Sequence, residues 1–102
     1  MQRVEVIVSM KIGLLQLDLL FEECNSLKDK RSILQAIKHR LRSKYNVSVA
    51  EVGDHDIWRR SQFGLAAIGN GADSIEEIFR AAVRELESRS DTIVTDYKVE
   101  IF

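Results

Sequence analysis

From Lys11 to Glu22 the chain sets Leu15, Leu17, Leu19 and Phe21 at every second position. Only an extended strand with one buried face satisfies that period. The other parity carries Ile12, Leu14, Gln16, Asp18 and Leu20, a second face that is partly apolar. Immediately afterwards the period changes. Ser26, with Asp29 three residues on, offers a hydroxyl and a carboxylate to the open N–H groups of a first helical turn. Leu27, Ile33, Leu34, Ile37 and Leu41 then recur at helical spacing to about Ser43.

The same alternation of periods repeats downstream. Tyr45 to Val52 reads as a second strand, Gly53 to Arg59 as a hairpin loop, and Gln62 to Ile68 as a third strand closed by Gly69-Asn70-Gly71. Ser74 with Glu77 predicts a second capping box, ahead of a helix whose apolar stripe is Ile75, Ile78, Phe79, Ala82, Val83 and Leu86. A last strand runs from Thr92 to Phe102, with Ile93, Thr95, Tyr97, Val99 and Ile101 expected on one face. The order is β-α-β-β-α-β. With right-handed crossovers it predicts an α+β, ferredoxin-like βαββαβ sandwich: one four-stranded antiparallel sheet with two helices on one face. All 102 residues are expected to form a single domain. Residues 1–9 are an N-terminal extension ahead of Met10, a second candidate start. The alternation of Val4, Val6 and Val8 suits a continuation of the first strand or a strand that pairs elsewhere, with the continuation preferred.

Composition narrows the setting. With 45% hydrophobic and 30% charged residues and no proline, the chain is neither disordered nor collagen-like. One cysteine, Cys24, forms no internal disulfide, which suits a reducing, cytoplasmic compartment. No apolar run approaches the ~20 residues of a membrane span, and Glu5, Lys11 and Asp18 interrupt any signal-like stretch.

Charge is distributed unevenly. The net charge is −1, yet between Lys28 and Lys44 seven Lys or Arg face a single acid, Asp29. On a helix, Lys28, Arg31, Gln35, Lys38 and Arg42 follow a 3-4-3-4 spacing and form one stripe, ~21 Å long at 1.5 Å per residue. Such a stripe can track phosphates. The competing reading is an ordinary solvated helix face, although those usually mix both signs. The fold would bring Ser26–Arg31 beside Asp54–Arg60. There Arg59 or Arg60 either joins Lys28 and Arg31 in an anion cradle at the helix start, or pairs with Asp29, Asp54 or Asp56 to pin the loop. Trp58 either stacks on a partner or lids the core with its indole N–H bonded to backbone.

Reaction chemistry is not spelled out. Asp54-His55-Asp56 lacks the spacing of a convincing metal site, and His39 lies roughly opposite the core face of its helix. Cys24 follows two acids, Glu22 and Glu23, a poor setting for a nucleophile, and it reads as a packed small hydrophobe. Nucleophile-elbow, P-loop and dinucleotide-binding glycine patterns do not occur, and the third strand lacks the basic-aromatic signature of RNA-recognition motifs. No catalytic residue, metal or cofactor is predicted. The apolar parity of the sheet, including Ile12, Leu14 and Leu20, is a candidate surface for homodimer formation, and a strand edge is the alternative.

The segments SLKDKR, NVSVAEV, DHDIWRR with the following FG, and the ending DYKVEIF resemble the YlxP-like proteins, a bacterial domain family of unknown function. The resemblance runs from Met10 to Phe102. It implies a small ferredoxin-like protein without an established biochemical role. Genes of that family often lie near those for translation initiation factor 2 and ribosome-binding factor A. Two expectations follow. The first is a non-enzymatic accessory factor binding RNA or a ribosomal particle through Lys28, Arg31, Lys38 and Arg42, with Trp58, Arg59 and Arg60 at one end. The second is a homo-oligomeric interaction module using the apolar sheet face. A small-anion-binding protein built on the cradle is the third alternative.

Overall fold

The computed structural model describes residues 9–102. The expectation of a strand extension over residues 1–9 therefore falls, apart from Ser9, outside the described residues. Six elements follow one another: β1 (Lys11–Leu20), α1 (Leu27–Lys44), β2 (Ser48–Gly53), β3 (Arg60–Gly69), α2 (Ala72–Glu87) and β4 (Ile93–Ile101). The strands form one antiparallel sheet in the order β2-β3-β1-β4. This is the ferredoxin-like α+β sandwich that the periodicity predicts.

Register explains why a single face is covered. Leu15 pairs with Leu65 and Leu17 with Phe63 across β1 and β3, and all four are buried. Their neighbours of opposite parity, Ile12, Leu14 and Ile68, stay exposed. Both helices therefore lie on the Leu15–Leu17 side, with Leu34, Ile37 and Leu41 of α1 and Ile75, Phe79, Ala82, Val83 and Leu86 of α2 closing the core. Gly13 lets α2 approach β1 closely, because a Cβ there would run into Ile75 and Phe79.

Three local expectations are corrected. Tyr45 belongs to the end of α1, where its N–H bonds to Leu41 O at 2.9 Å, so β2 starts at Ser48. The N-cap of α2 is Gly71 in extended conformation. Ser74 lies inside the first turn and donates its hydroxyl back to Gly71 O at 3.0 Å, so it forms no capping box. In β4, Leu19 pairs with Val94 while Asp18 pairs with Asp96, which leaves Thr95 as an extra, bulged residue. A bulge inverts the parity of everything beyond it. Ile93 therefore lies on the opposite face from Tyr97, Val99 and Ile101.

Candidate functional site

The basic residues of α1 separate into two groups by their partners. Lys30 is buried at 1% exposure. Its ammonium lies 2.8 Å from the Glu51 carboxylate and donates to Asp54 O at 2.6 Å and Ile57 O at 2.7 Å, so all three N–H groups have acceptors. Ser61 Oγ donates to Glu51 at 2.7 Å and completes the network. On the flank of α1 that meets α2, Arg40 and Lys44 both bond to Glu85. Those donors hold the Glu85 carboxyl below the usual carboxylate range.

The remaining four cations, Lys28, Arg31, Lys38 and Arg42, form no ion pair among the described residues. They are the stripe read from the sequence. At 100° per residue they lie on the flank opposite Arg40 and Lys44. Arg42 fixes the direction, because its guanidinium donates to Val49 O of β2 at 3.4 Å. The row thus runs beside the β2 edge of the sheet. Lys28, Arg31 and Arg42 are exposed and Lys38 is half-buried.

The loop between β2 and β3 packs against the start of α1, as the topology requires. Asp54 takes a positive φ of 60°, a conformation that Asp tolerates better than most residues. The turn it begins closes with Ile57 N–H on Asp54 O at 3.0 Å. Lys30 grips both carbonyls of this turn from below. Next to it, Phe21 N–H bonds to Arg59 O at 2.8 Å, and Arg59 Nε donates to Cys24 O at 3.0 Å. Arg59 does pin the loop, but to backbone rather than to an acid.

That arrangement sorts the predicted site residues. Arg60 opens β3 opposite Leu20, on the outer face of the sheet, exposed and outside any ion pair among the described residues. Trp58 is 50% exposed and is not a lid on the core. Of the cradle donors at the start of α1, Asp29 N–H is taken by Ser26 Oγ at 3.0 Å and Arg59 is committed to Cys24. Cys24 is buried with Sγ 3.2 Å from Ser26 O, and His55 Nε2 lies 3.2 Å from Glu51 O. Among the described residues no group of His, Cys, Asp or Glu is arranged to hold a metal ion.

Sequence reasoning missed Lys30 and Glu51, although both carried a signal. Lys30 precedes Leu34, Ile37 and Leu41 by four, seven and eleven positions, which is the buried stripe itself. Glu51 shares the parity of Val49, the buried residue of β2.

Fold and surface together define a small ferredoxin-like α+β protein whose basic helix flank carries no ion pair among the described residues. The chain belongs to the family described as "Protein of unknown function (DUF503)", whose profile matches residues 12–99. It is 31% identical over 91 residues to the uncharacterized protein YlxP of Bacillus subtilis (strain 168), covering 89% of this chain and 99% of that one. Its fold is similar to that of a dimeric ferredoxin-like protein of unknown function from Thermobifida fusca. That similarity has a TM-score of 0.53 at 14% identity, over 99% of this chain and 98% of the other. No described helix is long and apolar enough to cross a membrane.

Proposed function

We propose that this protein is a non-enzymatic, cytoplasmic accessory factor that binds structured RNA or a ribosomal particle. The α1 row of Lys28, Arg31, Lys38 and Arg42 contacts phosphates, with Trp58 and Arg60 beyond its N-terminal end. One observation carries the reading: the α1 cations without an ion pair among the described residues all lie on one flank. A solvated helix face has no need of that segregation, whereas a polyanion does. Phosphate contacts from a row of this length supply salt-sensitive affinity without base-specific readout.

The test is co-sedimentation with ribosomal particles from native lysate, with and without nuclease and high salt. The protein should travel with the particles, leave them under either treatment, and fail to bind them when Lys38 and Arg42 are changed to Glu. Association that survives nuclease and salt would contradict the reading. A second reading rests on the outer sheet face, where Ile12, Leu14, Val52 and Ile68 stay exposed around a shallow apolar groove at Gly64 and Ala66. A face of that kind suits protein contact, and partners retained after both treatments would favour it.

A further inference from the structure

Among the described residues the sheet ends in two edge strands, β2 and β4, and they are protected differently. β2 is six residues long and bulged between Glu51 and Gly53. The Arg42 guanidinium also occupies one of its carbonyls. Short length, a bulge and a charged guard are the usual means of keeping an edge from pairing. β4 is nine residues long and contains no proline. Its bulge, at Thr95, lies near its start, which leaves Asp96–Ile101 regular.

Hydrogen-bond phase shows what that edge offers. Phe102 N–H donates to Ile12 O at 2.8 Å, and the register runs through Ile101↔Gly13 and Glu100↔Leu14. In an antiparallel ladder these groups alternate, so even-numbered residues of β4 bond to β1. Tyr97, Val99 and Ile101 therefore turn their N–H and C=O groups outward, and the Asp96 carboxylate accepts from Tyr97 N–H at 2.9 Å, a local cap that pairing would displace. The side chains of the same three residues lie on the helix side without full cover. Tyr97 and Val99 are 50% and 40% exposed, and with Phe79 they line a groove of about 600 Å³ between α2 and β4. On the outer face the strand presents Asp96, Lys98 and Glu100, of alternating sign.

We propose that β4 pairs antiparallel with β4 of a second copy of this chain, about a two-fold axis through Val99, extending the sheet across both protomers. The charge pattern selects this register. Centred on Lys98, the pairing would set Lys98 against Lys98 and Asp96 against Glu100, and like charges directly opposite are destabilising. Centred on Tyr97, it would draw the bulged Thr95 into the ladder, although its hydroxyl is bonded to Asp18 O. Centred on Val99, each Lys98 faces the other copy's Glu100 at a non-hydrogen-bonded position, where side chains are closest. Val99 then bonds to Val99, and Tyr97 covers Ile101 at the mouth of each groove. A two-fold axis requires such self-complementarity.

Sedimentation velocity of the full chain over a micromolar concentration series tests the proposal. The wild type should dimerise. K98E and E100K should each raise the dimer dissociation constant about tenfold or more, by replacing two reciprocal attractions with repulsions. The double variant K98E/E100K should recover the wild-type value. Circular dichroism should show all three variants folded, because both side chains are exposed. A chain that stays monomeric throughout, or that dimerises only after residues 1–8 are removed, would overturn the proposal. So would a dimer that the single variants leave intact, or a double variant that fails to recover.

Discussion

The ammonium of Lys30 on α1 lies 2.8 Å from the carboxylate of Glu51 on β2, with Lys30 wholly buried and Glu51 nearly so. The pair fastens the helix that bears the basic row to the strand that leads into the Trp58 loop. Through the Asp54 and Ile57 carbonyls, Lys30 also fixes that loop directly. Row and loop are thereby joined through one buried side chain. Burying two charges is costly, so such a pair specifies geometry more than it adds stability.

Removing one partner exposes that cost. Lys30→Met should destabilise the fold by about 3–5 kcal/mol, because Glu51 stays buried without its counter-charge. Lys30→Met with Glu51→Leu should cost less than Lys30→Met alone. Chemical denaturation measures both. Trp58 is the only tryptophan, so its native-state emission should also shift in either variant as the loop loosens.

Trp58 itself is half exposed, and its removal should leave the fold nearly untouched. Trp58→Ala is expected to change stability within about 0.5 kcal/mol. The same substitution should weaken RNA binding by about 1–3 kcal/mol, the usual value of a base stacked on an aromatic ring. Thermal melts and filter binding on one preparation separate the two effects.

The junction of α1 and α2 should be pH-sensitive. Hydrogen bonds from Arg40 and Lys44 lower the Glu85 pKa from 4.5, so the unfolded chain takes up this proton before the folded one does. The contribution is complete above pH ~4.5 and is lost as pH falls through the lower folded value. Glu85→Gln should therefore reduce the melting temperature slightly at neutral pH and make no difference in strong acid. Paired melts across that range check the sign.

Close packing of α2 on β1 depends on Gly13. Gly13→Ala should cost about 1–3 kcal/mol, typical of overpacking, because the new methyl meets Ile75 and Phe79. Gly71, with open space around its Cβ position, is the control, and Gly71→Ala should be far milder in the same denaturant titration.

Much of this architecture is written in periodicity. Leu15, Leu17 and Leu19 reveal β1, and Leu34, Ile37 and Leu41 reveal the buried stripe of α1, because burial of one face imposes those spacings. Features set by pairing across the chain are not local. The Thr95 bulge depends on the match of β4 to β1, and so Ile93 is placed on the wrong face from its own alternation. Ser74 resembles a cap in sequence, but Gly71 reaches the extended conformation that a helix start requires. The basic stripe was legible as spacing. Its segregation from Arg40 and Lys44 became visible only with Glu85 in place, and Lys30 was hidden by the expectation that lysines face water.

The central claim is that Lys28, Arg31, Lys38 and Arg42 are the cations that meet phosphate. The slope of log affinity against log salt concentration, measured for a folded ribosomal RNA fragment, tests it most directly. Each lost phosphate contact should flatten the slope by about 0.7–0.9. Lys38→Gln with Arg42→Gln should therefore reduce it by about 1.5, whereas Arg40→Gln with Lys44→Gln should leave it near the wild-type value. Equal slopes for the wild type and the Lys38/Arg42 variant, or an equal loss in both double variants, would contradict the account.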